Sequence, residues 1–154
     1  MSNRLHPVAL ISVLISGAAA FAAAPPAAKL TMAQARAMAL RLARTKKQGS
    51  RLLFEQQVVQ LKLNRMHLLT EALRSFVMRV AWEHDHKMHS ANPGLCMNFS
   101  TDVIQEVSEL NLELHADAGV MDARADKLVR DAIIWSHLAG DSVQRMKTTR
   151  RLAK

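Results

Sequence analysis

An all-α fold, an antiparallel four-helix bundle, is what this sequence predicts, and three observations carry that expectation. Five glycines and four prolines in 154 residues punctuate the chain too sparsely for many short strands. Apolar residues from Phe54 to Asp85 recur at three- and four-residue steps, the period of one helix face. After Pro26 no strand-like alternation, internal repeat or low-complexity tract occurs.

In chain order, residues 1–29 form an apolar, Ala-rich N-terminal segment and residues 30–154 a helical-bundle domain. Val8 to Ala24 follows Arg4 and His6 and ends near Ala20-Phe21-Ala22, the form of a secretory signal with a small-x-small cleavage site. A leftover buried helix reads the same residues equally well. The run is short and carries Ser12, Ser16 and Gly17, which argues against a membrane span. Thr31 with Gln34 forms a capping box behind Leu30, so the first helix spans Met32 to Lys47, and Gly49-Ser50 ends it. The second runs from about Phe54 to Asp85, with Val59, Leu63, Met66, Leu69, Leu73, Phe76, Val77 and Val80 inward. Asn92-Pro93-Gly94 marks a turn. The third helix follows from about Leu95 to Leu114, with Val103, Val107, Leu110 and Leu114 on one stripe, and breaks at Ala118-Gly119. A short fourth covers Asp122 to Trp135, with Leu128, Ile133 and Ile134 inward. Asp141, three residues before Gln144, opens a last basic helix ending near Ala153.

The formal charge of +8 invites a nucleic-acid reading. The distribution argues against it. Basic residues are spread over helix ends and faces, and two tryptophans, four phenylalanines and no tyrosine form no stacking series. Cys96 is the only cysteine, which excludes an intramolecular disulfide and a Cys-rich zinc site and fits a reducing compartment. Glu83-His84-Asp85-His86-Lys87-Met88-His89 has the residue types of a metal site. Its place at a helix end before a turn reads better as exposed titratable side chains, so no metal is expected.

Two segments carry a family resemblance. Leu42-Ala43-Arg44-Thr45-Lys46-Lys47-Gln48, continuing to Leu53, Glu55 and Gln57, resembles the acyl-CoA dehydrogenase pattern Tyr-Ala-x-x-Arg-x-x-Phe-Gly-x-x-Leu-x-x-x-Gln. Arg79-Val80-Ala81-Trp82 is similar to that family's Arg-Ala-Ala-Trp. Lys127-Leu128-Val129-Arg130-Asp131-Ala132, then Gln144-Arg145 and Arg150-Arg151-Leu152, resembles its closing Lys-Leu-x-Arg-Asp-Ala…Ile-Gln-Arg…Ala-Arg. Between them, His115 to Val120 takes the place of a Leu-Gly-Gly-x-Gly turn. The resemblance implies the C-terminal helical domain of an FAD flavoprotein that oxidises acyl-CoA to trans-2-enoyl-CoA. It also implies assembly with itself or with a fuller acyl-CoA dehydrogenase-like chain, and acyl-CoA contact only within such an assembly. A cytoplasmic location follows (mitochondrial if eukaryotic), with export through residues 1–22 the alternative.

Carried over by position, the cofactor-facing residues are Lys46, Gln48, Gln56, Glu113, Asp117, Gly119 and Gly140. Lys46 replaces an Arg, keeping the charge without the planar fork. Asp117 replaces a turn glycine, and Gly49, Ser50 and Leu52 depart from Phe, Gly and a frequent Pro. The catalytic Glu position falls on Ala139, or on Leu138 counted from Gln144, and neither accepts a proton. Asp141, two residues on, is better placed as a helix cap than as a base. No part of the chain after Pro26 supplies the family's N-terminal helical or central β-domain, so catalysis by this chain alone is not expected. Two other readings stand beside this one: a non-enzymatic helical oligomerisation module, and an exported small basic helical protein.

Overall fold

The computed structural model describes residues 32–88, 92–118, 121–139 and 142–152, the side chains of 138, 139, 144, 151 and 152 excepted. The Val8 to Ala24 segment and the Thr31 cap lie outside them. Five α-helices occur among the described residues: α1 (Met32–Thr45), α2 (Gln57–Asp85), α3 (Asn92–Asp117), α4 (Ala123–Ala139) and α5 (Ser142–Leu152). The fold is all-α, a helical bundle, as the periodicity requires.

Helix α1 buries Met32, Ala35, Ala39, Leu42 and Ala43, a stripe of mostly small side chains that lets its neighbours approach closely. It stops at Thr45, two residues earlier than expected, where the Thr45 hydroxyl donates back to the Arg41 carbonyl at 2.9 Å. The chain then makes a two-stranded antiparallel hairpin that the sequence did not suggest: β1 (Lys47–Gln48) pairs with β2 (Arg51–Leu52). Two-residue strands are too short to show alternation, which is why no strand was expected. The turn residue Gly49 has φ +65°, a conformation that side chains rarely adopt. A 3₁₀ turn (Leu53–Glu55) buries Leu53 and delivers the chain to α2, three residues later than the expected start.

Helix α2 is about 43 Å long at 1.5 Å per residue. Val59, Leu63, Met66, Leu69, Leu73, Val77 and Val80 are buried along it, and Phe76 packs half-buried against the core, as the period predicts. It ends in a Schellman motif: Met88 N–H donates to the Glu83 carbonyl (2.9 Å) and Lys87 N–H to that of His84 (3.0 Å), with Lys87 at φ +55°.

Asn92-Pro93-Gly94 is not the expected turn but the first turn of α3. Proline costs nothing there, because a first-turn amide has no intrahelical partner to lose. Gly94 serves packing: a Cβ on it would lie 2.9 Å from the Thr148 hydroxyl of α5. Helix α3 is the hub, in contact with the other four helices. It buries Val103, Val107 and Leu114, with Leu110 half-buried against them. Its buried hydroxyls, Ser100, Thr101 and Ser108, donate to carbonyls one turn back.

Helices α2 and α3 run antiparallel. Lys62 reaches Asp117 at one end, Arg65 meets Glu106, Phe76 packs on Phe99 with ring centroids 6.2 Å apart, and Glu83 meets Asn92 at the other end. Helix α4 continues to Ala139, four residues past the expected end. It turns inward Ala125, Leu128 and Ala132, whereas Ile133 and Ile134 are 46% and 58% exposed, contrary to their expected burial. The 125–128–132 spacing is a helical stripe, and alanines at its ends admit close approach to α3. No described helix is long and apolar enough to cross a membrane.

Candidate functional site

The antiparallel pairing of α2 and α3 brings four pieces to one end of the bundle: the hairpin, the start of α2, the end of α3 and the start of α4. That end holds every described residue expected to face a cofactor. Gly119, Gly140 and Asp141 lie outside the described residues. Leu138 and Ala139 close α4, and neither residue type bears a carboxylate.

The first group sits on the hairpin. Lys46 and Gln48 are exposed, and the Gln56 side-chain amide donates to the Gln48 side-chain oxygen at 2.9 Å. The Leu53 N–H donates to the Lys46 carbonyl (3.0 Å), fixing the backbone from which the Lys46 side chain projects. Gln56 is the N-cap of α2, yet its side chain makes no capping bond, and the first turn of α2 has no acidic residue. The first turn of α2 therefore holds no carboxylate against its positive partial charge, and the nearest one before it in the chain is the exposed Glu55, just before the cap. Phe54 beside it lies under the Arg44 guanidinium, 5.9 Å from the ring centroid.

The second group is built from α2 and α3. Glu113 and Asp117 stand one turn apart in the last turns of α3, where two like charges at a negative helix end repel each other and the dipole. Lys62 of α2 resolves this, its ammonium 2.7 Å from Asp117 and 3.3 Å from Glu113. The hydrogen bond to Asp117 is the main reason the Lys62 amine is held above its ordinary pKa. The sequence reading missed Lys62 in this role. The signal was an acidic i,i+4 pair with no local cation, which needs one from a neighbouring helix. Among the described residues, no hydrogen bond or ion pair joins the two groups.

Next to them, buried His115 contacts the Asn111 carbonyl through Nδ1 (2.7 Å), with Nε2 3.9 Å from the Asp122 carboxylate. Asp122 caps α4, accepting the Arg124 N–H at 2.9 Å. That backbone bond leads the effects holding its carboxyl below the ordinary value of 3.8. A depressed folded-state pKa gives stability that is present above the unfolded value and is lost as the pH falls through the folded one. Asp122→Ala should therefore cost about 1 kcal/mol at neutral pH, and the cost should shrink as acid takes the pH through the lowered value of the Asp122 carboxyl. Urea unfolding of both proteins across that range checks it; an equal gap at both ends would refute the cap.

Toward the other end of α2, His86 stacks on Trp82 with centroids 4.2 Å apart, and its Nδ1 meets the Trp82 carbonyl. Among the described residues no three His, Cys, Asp or Glu side chains gather around a common point. Cys96 is fully buried, and that burial pushes its thiol up to about 11, which leaves it unreactive at neutral pH.

Residues 15–153 match the family model described as acyl-CoA dehydrogenase, C-terminal domain. No curated protein is significantly similar in sequence. Solved structures with the same fold include the prolyl acyl carrier protein oxidase AnaB, at 24% identity and a TM-score of 0.73 over 80% of this chain and 34% of that one. Butyryl-CoA dehydrogenase from Megasphaera elsdenii is similar at 21% identity, a TM-score of 0.72 and 80% and 33% coverage. An FAD-dependent dehydrogenase is similar at 19% identity, a TM-score of 0.71 and 79% and 34% coverage. The chain thus spans about a third of the length of each of these.

Proposed function

Because the chain belongs to the acyl-CoA dehydrogenase C-terminal-domain family, we propose that it is the helical-bundle part of an FAD-dependent acyl-CoA dehydrogenase-like assembly. It acts with a chain that supplies the remaining domains, itself or a fuller relative, and oxidises no acyl-CoA alone. The residue at the family's base position, Ala139 or Leu138, cannot take a proton. The family match starts at residue 15, which supports counting part of the Val8 to Ala24 run with the domain.

The observation that carries this reading is the start of α2. A helix N-terminus without a side-chain cap, flanked by the exposed Lys46 ammonium and the Gln48–Gln56 amides, suits an anionic dinucleotide backbone. The residues present fit the cofactor on this side. Lys46 would hold an anionic oxygen and the two glutamines would donate hydrogen bonds, while bound FAD would supply the hydride acceptor. Lys62 supports the fit from α3's end, where it neutralises carboxylates that otherwise repel phosphate.

The test is the absorbance spectrum of protein incubated with FAD and desalted. Flavin bands should persist in the wild type, and Lys46→Glu should weaken retention at least about tenfold through loss of one charge-assisted contact. A colourless wild-type protein would remove the cofactor from the proposal and leave the family standing. A second reading, a helical assembly module without flavin, draws on the altered turn (Ala116, Asp117) and on the missing carboxylate at 138 or 139.

A further inference from the structure

Between α1 and α2, beside the 3₁₀ turn, lies a cleft of about 560 Å³, within the size range of small-molecule sites. None of the residues expected to face a cofactor lines it. Leu40 of α1 and Leu63 of α2 supply its apolar floor, and Phe54, 39% exposed, stands at the hairpin end. The Gln60 side-chain amide donates to the Phe54 carbonyl at 3.0 Å and so fixes that wall. At the other end Arg36 of α1 meets His67 of α2. Arg44, which lies over Phe54, is about two turns along α1 from Arg36, so the apolar stretch between the ends is about 12 Å long. We propose that the cleft binds an aryl-alkanoate, an aromatic ring joined by a short chain to a carboxylate. The ring lies against Phe54 and the carboxylate on Arg36 and His67. This goes beyond the flavin reading and shares no residue with it.

The polar end selects an anion. A guanidinium only donates, so His67 Nδ1 accepts from Arg36 at 2.5 Å and the ring carries its proton on Nε2, where it is a donor. Arg36 reaches Glu71 at 3.5 Å through the same Nη1, which leaves its Nη2 edge for a ligand. Glu71 is shared with Arg74 at 4.0 Å, so one carboxylate faces two guanidinium groups and this end keeps a positive charge. A carboxylate can accept from Arg36 and His67 together, whereas a cation would meet donors only. The apolar end selects a ring. Phe54 is held in place from both sides, by Gln60 on its carbonyl and by Arg44 5.9 Å from its ring centroid, and its exposed part suits offset or edge-to-face packing. An uncharged body would leave the Arg36 edge without an acceptor, and a small bare anion would leave Leu40 and Leu63 uncovered.

Ligand-detected NMR titration of the full chain with 4-phenylbutyrate, without FAD, tests the assignment. A ligand of that size should bind with a Kd of roughly 0.1 mM. The alcohol 4-phenylbutanol keeps the body without the charge, and butyrate keeps the head without the ring. Each should bind at least about tenfold more weakly. Arg36→Gln should weaken 4-phenylbutyrate about tenfold or more and leave 4-phenylbutanol unchanged, a charge-selective loss that a loosened fold would not give. Asn64→Trp places a large ring at an exposed position on the cleft wall and should remove binding of both. Circular dichroism confirms that each variant folds. A wild type that shows no binding of 4-phenylbutyrate at about 1 mM overturns the proposal. So does binding that is equal for acid and alcohol, or that is indifferent to positions 36 and 64. Flavin enters none of these readouts, so a colourless protein that binds 4-phenylbutyrate upholds the cleft while ending the cofactor reading.

Discussion

Met66→Ala should cost about 3 kcal/mol of folding stability, the largest effect expected of any single truncation on α2. Met66 is fully buried, in the middle of the 59–63–66–69–73 stripe that forms the spine of the core. Its side chain fills space that no neighbour can enter without moving, because α2 is clamped at both ends. At the hairpin end Lys62 binds the last turns of α3, and at the other Glu83 holds Asn92. Truncation of a buried Leu or Met leaves a cavity as well as lost transfer energy, about 2–5 kcal/mol together. For a domain of this size, 3 kcal/mol lowers the melting temperature by about 6–12 °C. Met66→Leu keeps nearly the same volume and should cost less than about 1.5 kcal/mol. Thermal and urea unfolding of both variants decide the matter. A loss below about 1 kcal/mol for the alanine variant would mean that α2 adjusts freely, and that the spine is not where the fold's stability sits.

The stripe itself was legible in the sequence because every one of its residues is apolar, and the period holds from Val59 to Val80, about six turns. What the sequence obscured follows physical lines. Helix α4 was oriented wrongly because Ile133 and Ile134 outrank Ala125 and Ala132 in hydrophobicity. The face is decided instead by how near α3 must come, and alanine permits the closer approach. The start of α3 was displaced because Asn-Pro-Gly reads as a turn whenever Gly94 is taken for flexibility. Here Gly94 is a space left for Thr148, which lies 54 residues further along the chain. The hairpin is too short to leave a pattern, and only its Gly49 hinted at it.

The candidate site was legible in the same uneven way. Gln48 and Gln56 were named separately from the family resemblance, and the fold joins them in one hydrogen bond. Lys46 stands exposed beside them. Glu113 and Asp117, named as cofactor-facing, turn out to be held by Lys62, whose contact with Asp117 spans 55 residues and is one that no local window reveals. The two carboxylates are therefore electrically quieter than the sequence suggests, and the cationic side of the site falls to the hairpin.

Asn92→Leu should cost about 2–3 kcal/mol, an effect read from burial rather than from any motif. The Glu83 side chain is only 7% exposed, and the Asn92 amide nitrogen lies 2.8 Å from each of its oxygens. Arg79 supplies a third donor at 3.1 Å from the same helix. Removing the amide leaves a carboxylate in the core with a thinner donor set, and an under-satisfied buried charge costs far more than its hydrogen bond contributes. The same logic predicts the sign of the double variant. Glu83→Leu combined with Asn92→Leu removes donor and acceptor together, so no buried charge remains to be satisfied. It should be more stable than Asn92→Leu alone, although it carries two substitutions rather than one. A double-mutant cycle on unfolding free energies measures the coupling, expected at about 1–3 kcal/mol. Strict additivity would show that Glu83 finds other partners, and that the end of α2 is joined to α3 by packing alone. A measured coupling would mean that a polar clasp holds α2 in register against α3, and the same register brings Lys62 to the acidic end of α3 at the hairpin end of the bundle.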